Sequence, residues 1–368
     1  MQSWPPNIGG TPTAIYNLFK DLDSSKFDVL TSFRENAKTD NRKLNFKLHL
    51  FNSTKSSSLR FLWRFSFIED IVRYFVAGYK LLKDSKRYYR LFILYPDTGS
   101  IIAGIILSKI YKIKYDVYLL DLLAESRVNK LEKLLILIFQ KNILTNALNV
   151  FCLEGVANYY ANHVSREYVV LNHCLLDNTR IRKMPYKKNI ISFAGQIHGT
   201  CLDALQLFIK ALGLGNNNIH LKVYSNLDKK LIKQHELEAE NVSFHFVRNY
   251  DELINQLSQS SFLYSPVSFD SEYPDQANTC FPTKTFDYIL AGRPIFAHGP
   301  KNCHYTAYMG KYDSAFISNS TDPEELIREI ELFLNDENCQ QKIINNAKNM
   351  LFESHLSSHV QNIMLEKL

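Results

Sequence analysis

The segment Phe281–Pro300, FPTKTFDYILAGRPIFAHGP, constrains the fold of this chain more than any other stretch. It reads as a turn, a short helix, a second turn and a buried strand. Pro282 suits a first helical turn because it lacks the N–H that would be left without a partner there. Phe286, Ile289 and Leu290 recur at helical spacing, and Ala291-Gly292 end the helix. Pro294 opens the apolar run Ile295-Phe296-Ala297. Thr283, Lys284 and Thr285 occupy the first turn, where unpaired N–H groups and the helix dipole favour an anion. Asp287 follows in the same helix. A cation, two hydroxyls, a positive helix end and one carboxylate within five residues suit a diphosphate next to a ribose.

The rest of the chain repeats this strand-and-helix rhythm. Apolar strand patterns fall at 27–33, 46–51, 91–95, 114–119, 150–153 and 169–172, with helical patterns at 11–22, 66–84, 99–111, 129–146 and 154–162. A second series has strands at 190–193, 221–225, 242–246, 262–266, 294–297 and 315–317. Its helices fall at 201–212, 228–237, 250–260, 283–291 and 322–335. Such alternation predicts parallel sheets covered on both faces, hence an α/β chain of two Rossmann-like domains. The length of 368 residues is comfortable for two such domains. The polar, basic stretch 175–188 (LLDNTRIRKMPYKK) is the expected linker. It separates an N-terminal domain, 1–174, from a C-terminal one, 189–345.

Composition narrows the function classes. No apolar run reaches the roughly 18–20 residues that span a bilayer, and no basic-then-apolar leader opens the chain, so a cytoplasmic location is expected. The six cysteines are scattered, with no C-x-x-C pair and no zinc spacing, which reads as free thiols. Residues 1–172 carry 24 Lys and Arg against 15 Asp and Glu, whereas 173–368 carry 19 against 22. The excess is densest at 55–114, with 12 basic and 4 acidic residues, and points to an anionic partner for the N-terminal half. Within it Arg60–Lys83 mixes Phe61, Trp63, Phe65, Phe67, Tyr74 and Phe75 with Arg60, Arg64, Arg73 and Lys80, the composition of a surface resting on an anionic bilayer. A core helix with solvated basic residues fits the same pattern. No nucleic-acid-binding motif accompanies it.

The string Pro282-Thr283-Lys284, Asp287-Tyr288, Ala291-Gly292-Arg293-Pro294 resembles the donor-binding signature of GT-B glycosyltransferases, especially the GT4-like enzymes of bacterial polysaccharide assembly. The resemblance implies two Rossmann-like domains facing a central cleft, with a C-terminal helix (here 346–368) crossing back to the N-terminal domain. It makes Lys284, Thr285 and Asp287 donor contacts. Ile191–Gln196 resembles the first strand and turn of the donor domain. Gly195, Gln196 and His198 then lie in a loop whose N–H groups could cradle phosphate. That family places basic residues where this chain has Gln196 and His198, so Lys284, with Arg248, must carry more of the charge. Arg248 follows the strand expected to hold the nucleotide base. The family's first of two acids, eight positions before Asp287, is replaced by Thr279; Glu272 and Asp275 lie nearby.

On the acceptor side, Asp121 ends a strand in a string resembling the family's cleft-floor segment. It could orient the acceptor hydroxyl or act as general base, or simply cap a helix. Gly9-Gly10, in WPPNIGG, match the family loop that faces the donor. In that family a strand precedes this loop. Here the loop starts almost at Met1, so additional apolar residues before it are expected. The resemblance thus implies transfer of a sugar from a nucleotide diphosphate donor to a hydroxyl of a glycan acceptor, lipid-linked, in surface polysaccharide synthesis. Neither a metal nor a cofactor is required. A nucleotide-sugar epimerase on the same fold, or an inactive partner subunit, are the alternatives.

Overall fold

The computed structural model describes residues 10–33, 46–52, 66–83, 88–95, 98–125, 129–215 and 218–368. The chain divides into two compact units: residues 1–176 with 357–368, and residues 177–356.

The first unit opens with α1 (Gly10–Phe19), β1 (Asp28–Phe33), β2 (Lys47–Asn52), α2 (Ser66–Lys83) and β3 (Arg90–Tyr95). It continues through α3 (Thr98–Tyr111), β4 (Lys114–Leu119), α4 (Lys130–Asn146), β5 (Val150–Cys152), α5 (Glu154–Ala161) and β6 (Val169–Val170). Strands β3-β4-β5-β6 form one parallel sheet, and β1-β2 pair with each other in parallel. The central strand β4 is buried from Tyr115 to Leu119, and its one buried charge, Asp116, is paired with Arg90. Helices α3, α4 and α5 supply Ile101, Ile105, Ile136, Ile143 and Tyr160 to one core with β3, β4 and β5. The opposite core holds α1, whose Phe19 packs edge-on against Phe27, Phe46 and Phe92 at 6.5, 6.4 and 6.0 Å.

The second unit is a doubly wound domain. Its elements are β7 (Ile190–Ala194), α6 (Leu202–Leu214), β8 (His220–Tyr224), α7 (Lys229–Gln234), β9 (Val242–His245), α8 (Tyr250–Leu257) and β10 (Phe262–Pro266). Then follow α9 (Pro274–Thr279), α10 (Lys284–Leu290), β11 (Ile295–His298), α11 (His304–Lys311), β12 (Phe316–Ser318), α12 (Pro323–Asn335) and α13 (Glu337–Ser354). Among the described residues the sheet is parallel, in the order β9-β8-β7-β10-β11-β12. The strand order therefore reverses between β7 and β10, the point at which α/β sheets bind ligands beyond their carboxyl ends. There the ladder is brief: Phe262 pairs with Ile191 and Leu263 with Ser192, after which the strands part.

The last helix, α14 (Ser357–Leu365), belongs to the first unit. The expected boundary at 346 falls inside α13 and is corrected: the chain passes back at Leu356–Ser357. The physical reason lies on either side of that bond. His355 is buried in the second unit, with Nε2 bonded to the Tyr308 hydroxyl at 2.8 Å, while the Ser357 N–H donates to the Leu175 carbonyl at 2.7 Å in the first. Arg90 then holds the end of the chain. It pairs with buried Asp116 and donates to the Leu368 carbonyl and, at 2.9 Å, to that of Lys367. The expected linker also divides, with 177–188 belonging to the second unit.

Candidate functional site

The site predicted around Lys284 is built by the strands that part. Tyr288 lies on α10 with its hydroxyl between them, accepting from the Ala194 N–H at 2.9 Å and donating to the Tyr264 carbonyl at 2.9 Å. Burial raises its pKa well above 10, so the hydroxyl keeps the proton this bridge requires. Tyr288 thus fills the gap left when backbone pairing stops.

Immediately after β7, Gly195 has φ of +143°, a conformation that side-chain-bearing residues rarely adopt. A Cβ placed there would face the Lys284 side chain, 3.6 Å from Cδ and 3.9 Å from Nζ. The ammonium lies 4.2 Å from the centre of the Phe193 ring. Burial lowers the pKa of Lys284, against the pull of the Cys201 and Cys280 thiols. Among the described residues no carboxylate pairs with it. A desolvated cation without a counter-ion is costly, and its natural compensation is an anionic ligand.

The loop beside it offers further donors. The amides of residues 196–199 have no acceptor among the described residues, whereas those of Cys201 and Leu202 bond back to the His198 carbonyl. His198 Nδ1 lies 3.4 Å from the Thr200 N–H and 2.9 Å from its hydroxyl. The N–H can only donate, so Nδ1 is the unprotonated nitrogen and Nε2 carries the hydrogen. Desolvation, and then the charge of Lys284, lower the pKa of His198, so it is neutral near pH 7.

The remaining expected residues are placed as follows. Thr285 is fully buried, its hydroxyl donating to that of Tyr305 at 3.3 Å, so it ties α10 to the core and presents no surface to a ligand. Asp287 is half-buried and accepts from the Tyr250 hydroxyl at 2.6 Å. Arg248 is exposed in the turn between β9 and α8, next to Asn249, which caps α8, and Tyr250. Gln196 is exposed and bonds the Cys201 thiol through its carbonyl. Thr279 bonds back to the Asp275 carbonyl within α9, whereas Glu272 and Asp275 are exposed. Tyr273, beside Glu272, has a ring atom 3.9 Å from where a Gly199 Cβ would lie, which brings the segment before α9 against the loop after β7.

Part of the signature is structural. Gly292 has φ of +68°, and a Cβ there would sit 2.1 Å from the Arg182 carbonyl oxygen. Arg293 lies over the Tyr186 ring and donates to the Ser261 carbonyl at 3.1 Å. Both fasten residues 182–187 to the domain. Asp203 was not singled out from sequence. Its Oδ2 accepts from the Phe269 and Asp270 N–H groups at 2.7 and 2.9 Å, fixing the loop after β10 beside the loop after β7. Its position in the first turn of a helix after a glycine loop was the available signal.

In the first unit Asp121 follows β4, with Oδ1 accepting from the Leu122 N–H at 2.9 Å. It caps no helix; Asn129 caps α4. The adjoining loop is held by Tyr160, whose hydroxyl accepts from the Leu123 N–H at 2.6 Å and donates to Glu125 at 3.3 Å. Gly10 begins α1, exposed, and Gly9 lies outside the described residues, as do Arg60, Arg64 and the rest of 60–65.

Among the described residues no helix is long and apolar enough to cross a membrane, and no three His, Cys, Asp or Glu side chains converge to hold a metal ion. No protein-family model matches the chain, and no curated protein sequence matches it. Solved structures do. The sucrose-phosphate synthase of Thermosynechococcus elongatus superposes with a TM-score of 0.70 at 13% identity, over 97% of this chain and 92% of that one. The fold is GT-B. Anabaena Alr3699/HepE, solved in complex with UDP and glucose, matches this GT-B chain with a TM-score of 0.61 at 12% identity, over 87% of this chain and 85% of that. A putative UDP-N-acetylglucosamine 2-epimerase from Listeria monocytogenes shares the GT-B fold with a TM-score of 0.55 at 10% identity, over 88% and 82%.

Proposed function

We propose that this GT-B chain is a glycosyltransferase that moves a sugar from a nucleotide diphosphate donor to a hydroxyl of a lipid-linked glycan acceptor during surface polysaccharide synthesis. The observation that carries the donor half is Lys284. Among the described residues its buried ammonium has no counter-ion and lies beside four amides without an acceptor, where the strand order reverses. HepE, of the same fold, is described with UDP and glucose bound.

When the glycosidic bond to the diphosphate breaks, negative charge grows on the leaving oxygens. Lys284 and the amides of 196–199 are fixed before the reaction, so they stabilise that charge without reorganising. Asp287, oriented by Tyr250, would accept from the ribose hydroxyls. Asp121 would take the proton of the acceptor hydroxyl as general base. Glu272 and Asp275 are the acids available to the donor sugar, since Thr279 cannot serve.

The test is a set of nucleotide sugars incubated with and without a glycan acceptor. Nucleoside diphosphate release that rises with acceptor supports transfer. Formation of an epimer without acceptor would assign the chain to the reaction of its Listeria neighbour in fold. Neither product, from protein that still binds donor, would make it a non-catalytic subunit.

A further inference from the structure

The outward face of α4 is apolar where a solvated helix should be polar. Leu131, Leu134 and Ile138 recur at i, i+3 and i+7, and Leu134 and Ile138 are 56% and 68% exposed. Ile136 and Ile143, on the opposite side, are fully buried in the core. Single exposed apolar residues need no explanation, but a helical row of them does.

The charges around the row have one sign. Lys130, Lys133 and Lys141 are exposed on α4. The helix has one acid, Glu132, and its carboxylate is turned to the Thr98 hydroxyl on α3 at 2.5 Å. That bond also joins the first turns of α3 and α4. The two helices lie on the same face of the sheet, because they share one core and because parallel crossovers are right-handed. Outward Ile106 and Ile110 with Lys109 on α3, and Lys112 just beyond its end, extend the same character. The face is convex, a helix surface rather than a groove. Apolar side chains that reach outward between lysines, whose stems can extend to phosphate groups, match a bilayer interface.

We infer that the outer face of α4, with Leu131, Leu134 and Ile138 immersed and Lys130, Lys133 and Lys141 on the headgroups, docks this protein on an anionic lipid surface. The first turn of α4 lies at the carboxyl end of the sheet, the end at which Asp121 sits. An acceptor carried on a lipid would thereby meet Asp121 close to the membrane plane. The inference deepens the lipid-linked reading of the acceptor. It moves the contact from residues 60–83, expected from composition, to α4. It is independent of the donor site.

The probe is sedimentation with phosphatidylcholine vesicles, neutral or containing about a third phosphatidylglycerol. Wild-type protein binds the anionic vesicles, less so as salt rises. The double variant Leu134→Glu/Ile138→Glu loses at least roughly tenfold in partitioning, and Val72→Glu/Val76→Glu on α2 does not. Lys130→Gln/Lys133→Gln/Lys141→Gln, which changes only exposed charges, keeps the fold and loses the preference for anionic lipid. Equal binding of wild type to both vesicles, or unaltered binding by the α4 variants, overturns the inference. So does a wild-type dimer that ignores vesicles and that the α4 variants dissociate, which would make the face a protein interface. Loss in the α2 variant alone returns the contact to 60–83. Nucleotide binding, measured on the same samples, reports separately on the donor reading.

Discussion

The ammonium of Lys284 lies 4.2 Å from the centre of the Phe193 ring. One residue comes from the first turn of α10 and the other from the penultimate position of β7, 91 positions apart in a chain of 368. Gly195, two positions after Phe193, has φ of +143°, and a Cβ there would rest in ordinary contact with the Lys284 stem at 3.6 Å. A ring face supports a cation only weakly, so an incoming diphosphate gains most of what Lys284 can offer.

His198 carries the first pH dependence. Desolvation and the neighbouring Lys284 hold its pKa below 6.5 in the free protein. A bound diphosphate favours the protonated ring, so binding takes up a proton and tightens as pH falls from 7 toward 5.5. A nucleotide sugar, whose diphosphate does not titrate in this range, isolates the effect. Calorimetry in two buffers of different ionisation enthalpy reads the uptake directly, and His198→Ala removes it.

His298 governs acid stability. It is fully buried, with Nε2 donating to the Ser320 carbonyl at 2.8 Å, and burial lowers its pKa to about 4. In the unfolded chain it titrates near 6.5, so between these values the unfolded state binds the extra proton. Its contribution is full above pH 6.5 and is lost as the pH falls toward 4, about 3 kcal/mol in all. Thermal unfolding at pH 7 and 4.5 checks this. The drop in Tm should be smaller in His298→Gln than in wild type.

Tyr288→Phe removes the bridge between β7 and β10. The Ala194 N–H and the Tyr264 carbonyl are then left buried without this partner, at about 1–3 kcal/mol. Chemical denaturation should show that loss. The folded variant should also bind nucleotide more weakly, because Ala194 is the last residue before the loop after β7.

Gly292→Ala should be damaging for a reason unrelated to the ligand. The left-handed backbone alone costs about 1–2 kcal/mol, and the new Cβ displaces Arg182. Stability falls, whereas nucleotide affinity per folded molecule stays near wild type.

These contrasts show what could be read before the structure. The strands of the second unit were legible to within about two residues, because each is a short apolar run bounded by Gly, Pro or Asn. Its helices α9 and α11 were not. The sequence of α9, PDQANT, has no apolar period, and α11 follows Gly299-Pro300 closely and contains Gly310, both of which read as turns. The place of Lys284 and Asp287 on α10 follows from their spacing, but the burial of Thr285 does not: only the phase of α10 turns it toward Tyr305. The bridging role of Tyr288 has no signal in the sequence, because the parting of β7 and β10 is a long-range event. The apolar face of α4 was hidden because a periodic pattern does not say which side meets the sheet.

The most direct test of the account is calorimetric titration of wild type and Lys284→Ala with UDP, GDP and ADP. One of these should bind wild type. Its affinity should fall roughly 10- to 150-fold in the variant, the loss of one charge-assisted contact. It should also decline in wild type with rising pH below the ordinary lysine range, since burial lowers the pKa of Lys284. A folded Lys284→Ala protein that binds the same nucleotide as tightly as wild type would contradict the assignment of this site.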